Sequence, residues 1–72
     1  MKPGDVVRVA RYPGGVTMGG WALMRLSKSG NRIYLRRDCG VVAFFDAKTG
    51  RNVKRGYIHP TDLAAILKGG NA

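Results

Sequence analysis

Apolar and polar positions alternate with a period of two along most of this chain, and glycine marks the interruptions. Such alternation places successive side chains on opposite faces of a strand. Residues 5–10 alternate around Val7 and Val9 with Arg8 between them, after a Pro3-Gly4 turn, and predict a first strand. Residues 11–20 carry Pro13-Gly14-Gly15 and Gly19-Gly20 and predict a loop. Residues 21–27 predict a second strand with Ala22, Met24 and Leu26 on one face. Ser29-Gly30-Asn31 is a tight connection to a third strand over 32–37. There Ile33 and Leu35 point one way, and Arg32, Tyr34 and Arg36 the other. Residues 41–45 are apolar throughout and predict a fourth strand, with both faces covered or one docked elsewhere. Residues 46–50 read as a hairpin turn into a fifth strand over 52–58.

Past Pro60 the period changes. Leu63, Ile66 and Leu67 share a helical face, so a short helix is expected over 61–68. Thr61 is the expected N-cap, Asp62 favours the positive end of the dipole, and Gly69-Gly70 stops the helix. One or two turns cannot persist alone, so this helix must plug an open end of the sheet. The expected fold is mainly β, a small, strongly bent five-stranded barrel with one short C-terminal helix. A twisted open sheet with one packed helix is the alternative. Residues 1–68 form a single β-rich domain in this reading, and 69–72 a flexible tail.

Composition narrows the function. The 72 residues hold 13 Lys plus Arg against four acids, a net charge of +9 and a pI near 10.7. Eight of the thirteen cations are arginine, all four acids are aspartate, and Glu and Gln are absent. Solubility alone needs a net charge of about 2–8 on a small domain, so the excess points to a polyanionic partner. Cys39 is the only cysteine, so no intrachain disulfide or thiolate metal cage can form, which suits a reducing cytoplasm. No apolar run exceeds five residues, against the ~20 a membrane-spanning helix needs. A cytoplasmic monomer without membrane contact is expected.

Lys2-Pro3-Gly4-Asp5-Val6-Val7-Arg8-Val9, the glycine-bearing loop to Gly20, the apolar strand from Trp21 and the Ser29-Gly30-Asn31 turn form one pattern. It resembles the opening half of SH3-like barrels of the KOW type, found in bacterial elongation factors and ribosomal proteins. With its size and charge, the chain is also similar to small phage-encoded regulators that bind host RNA polymerase. That resemblance implies a phage protein docked near the RNA exit region, its basic face beside nascent RNA. It also implies inhibition of initiation, promotion of antitermination, or both.

Catalytic chemistry finds little to work with. His59 is the only histidine, so a nucleophile–base pair would have to be Cys39 and His59, and nothing in the spacing joins them. A local hydrogen bond is the expected role of His59. No ligand spacing for a metal is present, and no cofactor is expected. The loop 13–20 offers backbone N–H groups to an anion, but it lacks the Lys-Ser/Thr of a phosphate-binding loop. It reads as the corner of a barrel. The sharper signal is Arg32, Tyr34 and Arg36 on one strand face, combining phosphate donors with a ring on which a base can stack. Arg37 adjoins them, and Arg51, Lys54 and Arg55 form a second cationic cluster. The two merge only if the third and fifth strands face the same side. Phe44 and Phe45 are adjacent, so one faces outward, and with Trp21 and Arg11 they are the candidates for gripping a protein. The expected function is a non-enzymatic regulator docked on a nucleic-acid machine, best RNA polymerase. A stand-alone, sequence-indifferent RNA- or DNA-binding module is the alternative. A third reading is a small barrel enzyme that builds its site by oligomerising.

Overall fold

The computed structural model describes residues 1–69. Its strands are β1 (Val6–Ala10), β2 (Thr17–Leu26), β3 (Arg32–Arg37), β4 (Val42–Asp46), β5 (Arg51–Asn52) and β6 (Gly56–Ile58), followed by helix α1 (Pro60–Gly69). All neighbours pair antiparallel, in the order β4-β3-β2-β1-β6-β5. The two ends of that order, β4 and β5, come back together, and the Asn52 amide donates to the Phe44 carbonyl across the gap at 2.9 Å. The sheet is therefore a nearly closed barrel, compatible with an SH3-like architecture. Among the described residues, no helix is long and apolar enough to cross a membrane.

Two bulges set which residues face the core. Opposite Val7 and Val9, β2 places Trp21 and Met18, so one extra residue is taken up at Gly19-Gly20, with Gly20 at φ +93°. The expected loop over 11–20 is thus shorter, and its second half is strand. Between Leu23 and Arg25 the register to β3 slips again, leaving Met24 unmatched. Inward positions on β2 are therefore Trp21, Leu23 and Leu26, not Ala22, Met24 and Leu26 as strict alternation predicts. The core gathers Val7, Val9, Trp21, Leu23, Ile33, Leu35, Phe45, Ile58 and Ile66, with Trp21 edge-on to Phe45 at 5.8 Å.

The predicted fifth strand is divided in two, making six. Asn52 Oδ1 accepts the backbone N–H groups of Lys54 and Arg55, folding 52–55 into a turn that returns the chain as β6. The turn after β4 is built as expected, with Asp46 Oδ1 accepting from Lys48 N and Thr49 N. It does not close a hairpin, however, because β5 pairs with β6 and not with β4.

Helix α1 runs 10 residues, nearly three turns. Its N-cap is His59 and not Thr61. The His59 carbonyl accepts the Leu63 N–H at 2.9 Å, and Nδ1 accepts the Thr61 N–H at 3.2 Å. Pro60 then occupies the first helical position, where its missing N–H costs nothing. Ile66 is buried and Leu63 packs against the core, whereas Leu67 is exposed. The third inward position belongs to Asp62, which meets Arg8 on β1. Gly69 closes the helix, and the rest of the expected tail, 70–72, lies outside the described residues.

Candidate nucleic-acid interface

On β3 the alternation read from sequence holds. Ile33 and Leu35 are buried, while Arg32, Tyr34 and Arg36 look outward. Register with β4 places Asp46 beside Arg32, Phe44 beside Tyr34 and Val42 beside Arg36. Because Ile33 pairs with Phe45, the second phenylalanine is drawn into the core and Phe44 is left outside, half exposed. The bulge at Met24 brings Arg25 opposite Tyr34. The resulting row crosses three strands: the Arg25 guanidinium carbon lies 4.4 Å from the Tyr34 ring centroid, and Tyr34 and Phe44 are 6.2 Å apart at 60°. Arg32 approaches Phe44 in turn, 4.7 Å from its centroid. Such cation–aromatic contacts hold long arginine side chains against the sheet.

Near-closure of the barrel carries the second cationic cluster to the same place. Arg32, Tyr34, Phe44, Lys48, Arg51 and Lys54 line one open groove of about 960 Å³, whose floor crosses the β4–β5 seam. Asn52, Val53, Ser27, Ser29, Asn31 and Asp46 complete the lining. Of the charged groups, four are cations and one is an acid. Among the described residues the one ion pair, Arg8–Asp62, lies outside the groove, so no carboxylate claims these cations. Many polar groups of the lining are already occupied. Asn52 donates to Phe44 and accepts from two amides, and the Ser27 and Ser29 hydroxyls accept from Arg32 N and Asn31 N.

Not every expected residue arrives there. Arg36 lies outward on the same strand but beyond the groove, between Ala22 and Val42. Arg37 has the opposite parity, its guanidinium 5.6 Å from the Trp21 ring centroid. Arg55 sits half-buried in the turn after β5. Trp21 and Phe45, two of the residues expected to grip a protein, are 2% and 0% exposed and are core residues instead. Arg11 is exposed beside the first loop. Arg25 and Lys48 are additions that β3 alternation alone does not supply.

Comparison with protein families, with curated proteins and with solved structures finds no match to this chain. Function must be read from the groove itself.

Two other surfaces bear on that reading. The first loop folds Tyr12 and Pro13 over Tyr57 and Pro60 to enclose an apolar pocket of about 250 Å³ with no Lys or Arg in its lining. The pocket itself therefore offers no cation to a phosphate, and Arg11 stands outside its lining. Cys39 is exposed on the β3–β4 turn, while His59 caps the helix. Among the described residues, no three His, Cys, Asp or Glu side chains cluster as metal ligands do.

Proposed function

We propose that this chain is a non-enzymatic nucleic-acid-binding module that contacts RNA or DNA, without regard to sequence, through the groove over β3, β4 and β5. The observation that carries this is the convergence of Arg32, Lys48, Arg51 and Lys54 with two aromatic rings, on a chain of net charge +9. Free cations around a groove bind the phosphate backbone, and each contact releases condensed counterion. Indifference to sequence is part of the proposal because its contacts are to phosphates and to the face of a base, which carry no base-edge information.

The test is a salt titration of binding to fluorescent oligonucleotides. Four phosphate contacts give a log–log slope of about −3.6 on duplex DNA and about −2.8 on single strands. Arg51→Ala or Lys54→Ala lowers the slope by about one unit and weakens all sequences alike. A flat salt response, or full binding by the variant lacking all four cations, would overturn the proposal.

A second reading has its own observation. Val6, Ala22, Arg36 and Val42 form an outward row across four strands beside the groove, with Val6 and Val42 70% and 50% exposed. Exposed valines flanking Arg36 next to a basic groove fit docking on a nucleic-acid machine, with RNA polymerase first, as the likeness to phage-encoded regulators implies. Co-purification with RNA polymerase that survives nuclease, and is lost on Val6→Asp with Val42→Asp, supports docking. Loss of the polymerase on nuclease treatment leaves the stand-alone module.

A further inference from the structure

We infer that the occupant of this groove is a single strand whose unstacked base lies on Phe44 while its phosphates meet Arg51 and Lys54, an inference that rests on the nucleic-acid reading above. The groove is lined by two neighbouring aromatic rings, Tyr34 and Phe44, together with four cations. Phe44 is half exposed there, an apolar ring presented to solvent among cationic side chains. An aromatic face carries the negative lobe of its quadrupole. A duplex would present phosphates to that face, because its bases are already stacked and paired. A single strand can turn a base out onto the ring, since every base has a π-face.

The neighbouring side chains fit this division of labour. Tyr34 is less available than the sequence implies, because it is half-buried and Arg25 lies over its ring. Phe44 is the more exposed of the two rings, with the Arg32 guanidinium over one of its faces. With the Arg32 guanidinium 4.7 Å from its centroid, ring and guanidinium make one composite platform, and both surfaces stack on bases. Arg51 and Lys54 stand across the seam, on β5 and the turn after it. A strand lying in the groove therefore runs from a stacking platform on β3–β4 to phosphate donors on the other edge of the sheet. The ring is apolar and carries no hydrogen-bonding group, so stacking there adds affinity without adding sequence preference.

The experiment compares binding of a mixed-sequence single strand and its duplex, each about twelve units long and so within the roughly 4–16 nucleotides that one small barrel covers. The proteins are wild type, Phe44→Ala, Phe44→Leu and Lys54→Ala, each checked for folding by circular dichroism. Wild type is expected to prefer the single strand. Phe44→Ala should weaken the single strand about 5- to 150-fold, with the duplex and the salt slope little changed. Phe44→Leu should lose most of the same affinity, because it keeps apolar bulk without the π-face. Lys54→Ala should weaken both forms and lower both slopes. Phe44 ring protons should shift on adding the single strand and not on adding the duplex. Equal affinity for both forms, or a Phe44→Ala loss that is the same on both, overturns the single-strand inference while leaving nucleic-acid binding in place. No binding to either form by wild type overturns the parent proposal as well.

Discussion

At Asp62 one carboxylate accepts three hydrogen bonds from a single residue: Arg8 N at 2.8 Å, Nε at 3.1 Å and Nη2 at 2.9 Å. The geometry has a structural origin. β6 ends at Ile58, so on that edge β1 has no strand partner beyond Val9, and the first turn of α1 substitutes for one. His59 N donates to the Arg8 carbonyl, and Asp62 takes the Arg8 N–H. The Arg8 hydrogen bonds hold the Asp62 carboxyl below its ordinary range, against the opposing effect of burial. Asp62→Ala leaves a backbone donor without its acceptor and should cost about 1.5–3 kcal/mol. Arg8→Ala should cost less, because that side chain is half exposed and its backbone bond to Asp62 survives. Urea unfolding of both variants checks the order. The pH dependence has a definite sign. Unfolded, Asp62 titrates near the ordinary value of about 3.9, and folded it titrates lower. Its contribution is complete above that value and fades as pH falls through the lower, folded one. The gap in urea midpoint between wild type and Asp62→Ala should therefore be constant near neutrality and shrink in acid.

At the scale of elements, the β5–β6 turn depends on glycine. Gly56 has φ +112°, a conformation that residues with a Cβ rarely adopt, and a Cβ there would fall on the Ala10 carbonyl oxygen of β1. Gly56→Ala should separate β6 from β1 and destabilise by at least about 2–3 kcal/mol. Gly19→Ala is the contrasting case: φ there is not positive and the added carbon meets nothing within 4 Å. Thermal unfolding should show a large loss for the first and a small change for the second. Part of this was legible beforehand. Alternation showed that one of Phe44 and Phe45 faces outward, and the pairing of Tyr34 with Phe44 in the folded sheet decides that it is Phe44. The division of the fifth strand was not legible, because Asn52 ends it by bonding forward to Lys54 and Arg55 amid residues that otherwise read as strand.

For the whole molecule, closure depends on a short stretch of side-chain chemistry. β4 and β5 share no backbone ladder, and Asn52 Nδ2 to the Phe44 carbonyl is the hydrogen bond that spans their seam. Asn52→Asp keeps the oxygen that caps the turn but removes the donor and sets an anion against a carbonyl. It should cost about 1–3 kcal/mol and speed hydrogen exchange along β4 and β5 before other strands. Because the groove crosses the same seam, this variant should also weaken nucleic-acid binding with every groove cation still in place. If exchange rises evenly over the whole sheet, Asn52 is an ordinary turn residue and the seam is held by packing.

Local chemistry was enough to determine the strands β1, β3 and β4, the position of the terminal helix, and the outward face of Arg32, Tyr34 and Arg36. Alternation, turn residues and the change of period after Pro60 are properties of a few neighbouring residues and hold wherever no bulge interrupts the strand. The basic character was equally plain in the residue counts. Only the tertiary structure decided that Trp21, Leu23 and Leu26 face inward, because bulges at Gly19-Gly20 and Met24 shift parity relative to a neighbouring strand. Only it joined Arg32 to Arg51 and Lys54, since that juxtaposition requires β4 and β5, the two ends of the strand order, to meet. Inward and outward along one strand follow from covalent geometry. Which strands share a groove depends on how a twisted sheet closes, and that depends on contacts between residues far apart in the chain.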